Sequence, residues 1–157
     1  MRSLSLPALA SLAVGCGSSS PSQDRLAVYR VFFETFLNGR NAPILLQRKY
    51  IALQISDDER KGCVAGISLP AGPSVNSQLL DPRTISGLNY MFINSGQDSK
   101  RAPNLGVSEI RFDATHRYAV MRFEYSCPLC AAFGNLVFED ADGRWVPSKR
   151  RCGAGVS

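Results

Sequence analysis

Histidine is nearly absent from this chain, and its scarcity excludes several kinds of active site. Among 157 residues there is one histidine, His116. No second histidine is present to build a metal site with it, and no serine lies in a nucleophile-elbow pattern. A glycine-rich phosphate-binding loop is also missing. His116 lies beside Asp113 and Thr115 in a polar segment. We therefore predict a surface loop histidine, with a proton-shuttling role for Asp113 and His116 as the alternative.

Long apolar runs and strong charge asymmetry are missing as well. The apolar stretch from Leu4 to Val14 is shorter than the roughly 20 residues of a membrane-spanning helix. The formal net charge of +5 is modest, and its densest cluster is Lys149-Arg150-Arg151. Such a cluster predicts a solvated basic tail and no nucleic-acid partner.

The N-terminus carries the most specific pattern in the sequence. Arg2 precedes the apolar stretch, which ends in Ala13-Val14-Gly15-Cys16 and is followed by a polar segment of glycine and serine. This pattern resembles the lipobox of bacterial lipoproteins, in which the signal is cut before a cysteine that carries diacylglycerol. The resemblance implies a signal peptide over residues 1–15 and a lipidated Cys16 with a flexible tether over residues 16–22. Residues 23–157 then form a single globular domain.

The same resemblance implies a place in the cell. The protein would face the periplasm from a membrane of the cell envelope, held there by the acyl chains on Cys16. Gly17, rather than aspartate, follows that cysteine. In Gram-negative lipoproteins this is similar to the pattern of proteins sent to the outer membrane.

The cysteines are consistent with export. Of five, a lipidated Cys16 leaves four, which allow three disulfide pairings in an oxidising compartment. The first and fourth residues of a β-turn lie close enough for a disulfide, which favours Cys127–Cys130. Elimination then leaves Cys63–Cys152. A zinc site on these four is disfavoured, because a structural site normally has two close cysteine pairs.

Alternating apolar and polar residues predict a β-meander in the last third of the chain. The candidate strands are centred on Ile110–Phe112, Tyr118–Tyr125, Ala132–Glu139 and Arg144–Val146. Pro147 should end the last one, because proline cannot donate to a sheet.

An amphipathic helix is predicted before the meander. Ser20 and Pro21 form a helix start, apolar residues then recur at helical spacing, and Asn38-Gly39 provides a stop. We expect this helix to lie on one face of the sheet. The fold class is therefore α+β, with an N-terminal helix on an antiparallel C-terminal meander. A curved sheet of cystatin-like or nuclear-transport-factor-like form is an analogy that fits.

The middle of the chain is more irregular. Candidate strands are Ile44–Leu46 and Tyr50–Ile55, while Ser56–Gly62 is a capped helical turn or a charged loop. A helix is predicted from Asp81 to Ile93, and Ser95–Gly106 is predicted as a loop.

Three functions remain open from the sequence, and the third is a small pocket enzyme on a curved sheet with polar residues such as Asp113 and His116 near its mouth. The leading interpretation is a lipid-anchored envelope protein whose domain binds a partner or small ligand, without a cofactor, a metal or an assembled catalytic set. The alternative starts from Cys127-Pro128-Leu129-Cys130, which resembles the active-site motif of periplasmic thiol oxidoreductases. Strand-type residues follow it, whereas those enzymes place a helix there. The turn and the following Asp142-Gly143-Arg144-Trp145 also resemble small exported bacterial proteins to which no function is assigned, although Ala131 replaces their usual glycine.

Overall fold

One helix lies across a mixed β-sheet in a computed structural model of the chain. The structure describes residues 21–36, 44–72, 90–93 and 103–156. The signal, Cys16 and most of the predicted tether lie outside these ranges. In chain order the elements are α1 (Pro21–Phe36), β1 (Ile44–Gln47), α2 (Asp57–Lys61), β2 (Tyr90–Ile93), β3 (Asn104–Val107), β4 (Arg111–Phe112), β5 (Tyr118–Cys127), β6 (Cys130–Ala141), β7 (Arg144–Pro147) and β8 (Ala154–Val156).

The sheet follows the order β2-β1-β3-β5-β6-β7. Strand β1 is parallel to both β2 and β3, and the remaining pairs are antiparallel. The short strands β4 and β8 pair with β5 and β6 respectively. The six-strand path is mostly antiparallel and is not strongly curled. The α+β class, with a helix on a sheet, is therefore confirmed.

The predicted meander is confirmed as the centre of this sheet. Strands β5 and β6 pair along ten positions, from Tyr118 opposite Glu139 to Cys127 opposite Cys130. The turn into β7 uses Asp142 and Gly143, which have φ angles of 56° and 80°. Glycine adopts a positive φ angle without a steric cost, so Gly143 suits its position in this short turn. Strand β7 ends at Pro147, as predicted.

Helix α1 buries one stripe against the sheet. Its most enclosed side chains are Val28, Tyr29, Phe32 and Phe33, and Phe32 lies 5.9 Å from Phe123 of β5 between ring centroids. These residues join the main core, because alternation in β5 places Ala119, Met121, Phe123 and Tyr125 on this face. The predicted cap Ser20 and stop Asn38-Gly39 lie outside the described residues.

Three predictions for the middle of the chain are wrong in whole or in part. The segment Tyr50–Ile55 is not a strand, since only Ile51 makes an isolated bridge, to Ser108. Tyr90–Ile93, predicted as the end of a helix, is strand β2; short apolar runs do not distinguish the two states, and pairing with β1 decides it. The predicted helix residues 81–89 lie outside the described residues.

The prediction of a loop over Ser95–Gly106 is wrong at its end, where residues from Asn104 onward form strand β3. Its glycine fits because a Cβ at Gly106 would come within 2.8 Å of Ile51 Cγ2, a close approach that only tertiary structure reveals. Ile44–Leu46 is confirmed as part of β1. Of the two alternatives for Ser56–Gly62, the capped helical turn is the observed one.

The opposite face of the sheet, here called the second face, is covered over part of its length. Residues 53–69 cross it and pack a smaller cluster around Val120 and Val137. The disulfide between Cys63 and Cys152 joins this crossing segment to the C-terminal end of the sheet. Beside the crossing segment, the described residues of the second face line two cavities.

Candidate functional site

Two adjacent cavities lie on the second face, and together they form what we call the groove. Their volumes are about 420 and about 410 Å³, and both are lined by Arg122 and Phe133. Each volume lies within the range of small-ligand sites. The first cavity has the further lining residues Ser56, Asp58, Glu59, Gly62, Cys63, Gly134, Arg151, Cys152 and Gly153, and the second has Gln47, Asn104, Glu124, Tyr125, Ser126, Ala131 and Ala132.

Arg122 occupies the junction of the two cavities because alternation in β5 turns it to the second face. Its backbone is held in both directions by Ser108: the Arg122 N–H donates to Ser108 Oγ, and the Ser108 N–H donates to the Arg122 carbonyl, both at 2.8 Å. The side chain is 16% exposed, and its Nε donates to Glu124 Oε1 at 3.1 Å. Its guanidinium carbon lies 5.7 Å from the Phe133 ring centroid, within cation–π range. Arg122 is therefore held in place within the groove.

Glu59 is fixed at the edge of the first cavity by a capping box at the start of α2. Its backbone N–H donates to Ser56 Oγ at 3.2 Å, and the Ser56 N–H donates to Glu59 Oε2 at 2.8 Å. The amide of Asn135 donates to Glu59 Oε1 at 2.8 Å and to the Gln54 carbonyl at 2.7 Å. Asn135 is buried in the second face, opposite Arg122 in the register of β5 and β6. The charged α2 segment is thereby attached to the sheet.

These contacts set the ionisation of Glu59. Desolvation raises the pKa of its carboxyl, but hydrogen bonds from Ser56 and Asn135, with the charge of Arg122, outweigh it and lower the pKa below its ordinary value. Glu59 therefore remains a carboxylate at neutral pH. A general acid needs the opposite shift, so this environment is suited to recognition rather than to proton donation.

Two buried amide oxygens near the groove lack a partner. Asn104 Oδ1 and Asn135 Oδ1 are enclosed and make no hydrogen bond within the part of the chain that the structure describes. Asn104 lines the second cavity and lies opposite Ser126 in the register of β3 and β5. A buried acceptor without a donor is costly, and both oxygens carry that cost among the described residues.

The charges of the groove balance within each cavity. Among the described lining residues, the first cavity has two carboxylates, Asp58 and Glu59, and two guanidinium groups, Arg122 and Arg151. The second has Arg122 and Glu124. The described lining residues of each cavity therefore carry no formal excess of one sign at neutral pH.

The cysteines predicted as site residues form two disulfides. The structure pairs Cys127 with Cys130 and Cys63 with Cys152. Cys127 ends β5 and Cys130 begins β6, so a hairpin, not a helix start, carries the Cys-Pro-Leu-Cys motif. This arrangement lacks the helix dipole that lowers a catalytic cysteine pKa. Leu129 at its tip is 97% exposed.

The pair Cys63–Cys152 lies beside Glu59, and these three side chains have the spacing of a metal site. Their ligand atoms lie within 4.8 Å of one another. A zinc ligand must be a thiolate, however, and both sulfurs are engaged in a disulfide. In this oxidised state the trio has a structural role.

Asp113 and His116 lie in the β4–β5 loop, where they have structural contacts. The Asp113 carboxylate accepts from the backbone N–H groups of Thr115, Arg117 and Tyr118 and from the Thr115 hydroxyl. His116 Nε2 lies 2.7 Å from Asp24 Oδ2 of α1. The side chain of His116 is 44% exposed, as the prediction of a surface loop histidine requires.

The sequence did not single out Arg122, Glu59 and Asn104 as members of one site. Two charged residues on one face of a mostly apolar strand, Arg122 and Glu124, were the available indication. Their meeting with Glu59 depends on a segment more than 60 residues away in the chain. No described helix has the length and apolar character needed to span a membrane. Comparison of the chain with protein-family models, with curated proteins and with solved structures finds no match.

Proposed function

We propose that this chain is a lipid-anchored protein of a bacterial cell envelope whose α+β domain binds a ligand in the groove, without catalysis. The observation that carries the binding role is the groove itself, where Arg122 and Phe133 join two ligand-sized cavities. The anchor rests on the sequence around Cys16. The partners in this proposal are the membrane, through the acyl chains, and a small ligand or another envelope protein.

The direction of α1 determines at which end of the sheet the tether would lie. Near its start Asp24 pairs with His116 in the loop that precedes β5, and farther along Phe32 packs on Phe123 of β5. The helix therefore runs in the same direction as β5, and its N-terminus lies at the end of the sheet opposite Cys127. A strand of ten residues spans roughly 30 Å, which separates the tether end from the hairpin tip.

The anchor would place the groove away from the membrane. Cys16 precedes Pro21 by five residues, which span at most about 18 Å when fully extended. The β4–β5 loop would then face the membrane. The second cavity, lined by Asn104 and Ser126, belongs to the half of β5 that leads to the hairpin tip.

The cystatin-like analogy belongs to this proposal as well. Only its helix laid across an antiparallel meander is kept, because the curved sheet that the analogy predicted does not agree with a sheet that is not strongly curled. A sheet that is not strongly curled leaves the second face broad, and a ligand would lie along the strands there.

The anchor is tested by the intact mass of the mature protein from a bacterial membrane fraction, with and without reduction before thiol alkylation. We expect acyl chains on Cys16, no residues before it, and alkylation of four thiols only after reduction. Cys16→Ser, as the matched control, should lose both the added mass and the membrane association. Unacylated wild-type protein would refute the anchor.

The thiol-redox alternative, with Cys127 and Cys130 as the reacting pair, is tested separately. A redox protein would reduce or oxidise a disulfide substrate at a rate that Cys127→Ser abolishes. We expect no turnover above that of the Cys127→Ser variant, because a hairpin does not stabilise the thiolate. Turnover that depends on Cys127 would favour the alternative.

A further inference from the structure

We propose that the ligand of the groove is a neutral carbohydrate, bound with one sugar ring against Phe133 and its hydroxyl groups on the polar side chains of the second cavity. This inference rests on the proposed binding function and specifies the ligand class. Three features of the groove carry it: its charge balance, its hydrogen-bonding groups and its exposed aromatic ring.

The charge balance favours an uncharged ligand. In the second cavity the positive charge of Arg122 is already matched by Glu124, whose Oε1 accepts from Arg122 Nε at 3.1 Å. A free anion would have to compete with this carboxylate, and a free cation would meet the guanidinium. A neutral polar molecule encounters neither repulsion and still finds charged hydrogen-bonding groups, which form stronger bonds than neutral ones.

The hydrogen-bonding groups require a ligand that both donates and accepts. Gln47, Asn104 and Ser126 offer amide and hydroxyl groups with both capacities. A hydroxyl group can donate to one polar group and accept from a neighbouring one at once. A polyhydroxylated molecule presents several such groups on one small ring.

Phe133 supplies the apolar part of the site. It is one of three large apolar side chains that are exposed among the described residues, and 44% of it is accessible. It borders both cavities, and a Cβ on Gly155 would come within 2.2 Å of its ring. Strand β8 therefore supports the ring closely. Such a ring offers a flat surface to the C–H face of a sugar, whose hydroxyls project to the sides.

A peptide ligand fits this location less well. Peptides recognised by sheets add to a free strand edge, where backbone groups are unpaired. At the groove, β5 is paired on both sides, with β3 and with β6. The main chain of a peptide would leave its own polar groups without backbone partners there.

The test is a titration of the purified full-length mature protein, followed by the chemical shifts of its backbone amides. If the protein is acylated, lauryldimethylamine oxide keeps it in solution without introducing a sugar head group. The probes are triacetylchitotriose, maltotriose and a neutral blocked trialanine peptide. We expect at least one trisaccharide to bind saturably, with a Kd of about 1 mM or tighter and the largest shifts around Arg122 and Phe133.

Variants locate the binding. Phe133→Ala should raise the Kd about tenfold, whereas Phe36→Ala, which removes a ring of similar exposure (40%) on α1, should not change it. Asn104→Ala should weaken sugar binding, because it removes a polar side chain that lines the second cavity. It should not lower the unfolding midpoint, because the enclosed oxygen of that side chain has no partner in the described structure.

Each remaining outcome counts against the proposal. Sugar binding that Phe133→Ala leaves unchanged would overturn it, because the sugar would then lie elsewhere. Binding of the peptide but of neither trisaccharide, with loss in Phe133→Ala, would overturn the carbohydrate class and leave the binding function standing. Binding of none of the probes would refute this inference, and the binding function would then have to be tested with other ligand classes.

Discussion

The two disulfides should contribute very different amounts to stability, although they are the same bond. Cys63 and Cys152 are 89 residues apart in the chain, whereas Cys127 and Cys130 are separated by three. In the chain-entropy account a disulfide stabilises by restricting the unfolded state, and its effect grows with the loop it closes. The closed loops of about 90 and about 4 residues give about 4.6 and about 1.9 kcal/mol at 25 °C.

The assay compares two double variants by denaturant unfolding without reductant. Cys63→Ala with Cys152→Ala should lower the free energy of unfolding by about 2.7 kcal/mol more than Cys127→Ala with Cys130→Ala. Each pair is the control for the other, because both remove two sulfurs and one bond. If the first variant is unfolded in buffer, its stability can be read from a series in trimethylamine oxide, which favours the folded state.

The reasoning would be refuted by the reverse order. A larger loss of unfolding free energy in the Cys127→Ala, Cys130→Ala variant would mean that the β5–β6 turn depends strongly on its disulfide. The link between the crossing segment and the sheet through Cys63–Cys152 would then matter less. Equal losses would mean that native-state effects, rather than unfolded-state entropy, dominate both bonds.

Two further changes test the structural contacts of the loop and the core. Asp113 has a lowered pKa because hydrogen bonds from Thr115, Tyr118 and Arg117 outweigh the opposing effect of desolvation. At pH values above the unfolded-state pKa of about 3.9, Asp113→Asn should therefore lower the free energy of unfolding by about 1–2 kcal/mol. This difference from the wild type should vanish as the pH falls through the folded-state pKa. Unfolding curves between pH 2 and 7 measure the difference, and a difference that does not depend on pH would contradict the prediction. Tyr29→Phe removes the hydroxyl that donates to the Ser108 carbonyl at 2.8 Å in the core, and should cost about 1–2 kcal/mol. Burial raises the Tyr29 pKa well above its ordinary value, so absorbance titration of this variant should lose one late-ionising tyrosine; an unchanged titration would contradict the assignment.

The sequence predicted the elements whose signal is local. Period-two alternation in residues 118–147 and helical spacing after Pro21 each require one buried face, so the meander and α1 could be read without knowing their neighbours. The capping residues Ser56 and Glu59 likewise lie three positions apart and identified α2 as one alternative. The turn disulfide follows from the same kind of short-range geometry.

Only the tertiary structure decided where distant segments meet. Tyr90–Ile93 is a strand because β1 pairs with it, and Gly106 is needed because Ile51 crosses above it. The groove depends on such meetings: Asn135 donates to Glu59 across 76 positions of sequence, and Asn104 faces its cavity because β3 lies beside β5. Periodicity records which side of a strand is buried, but it carries no information on which other segment covers that side. For this reason the helix and the meander could be predicted from residues alone, whereas the groove could not.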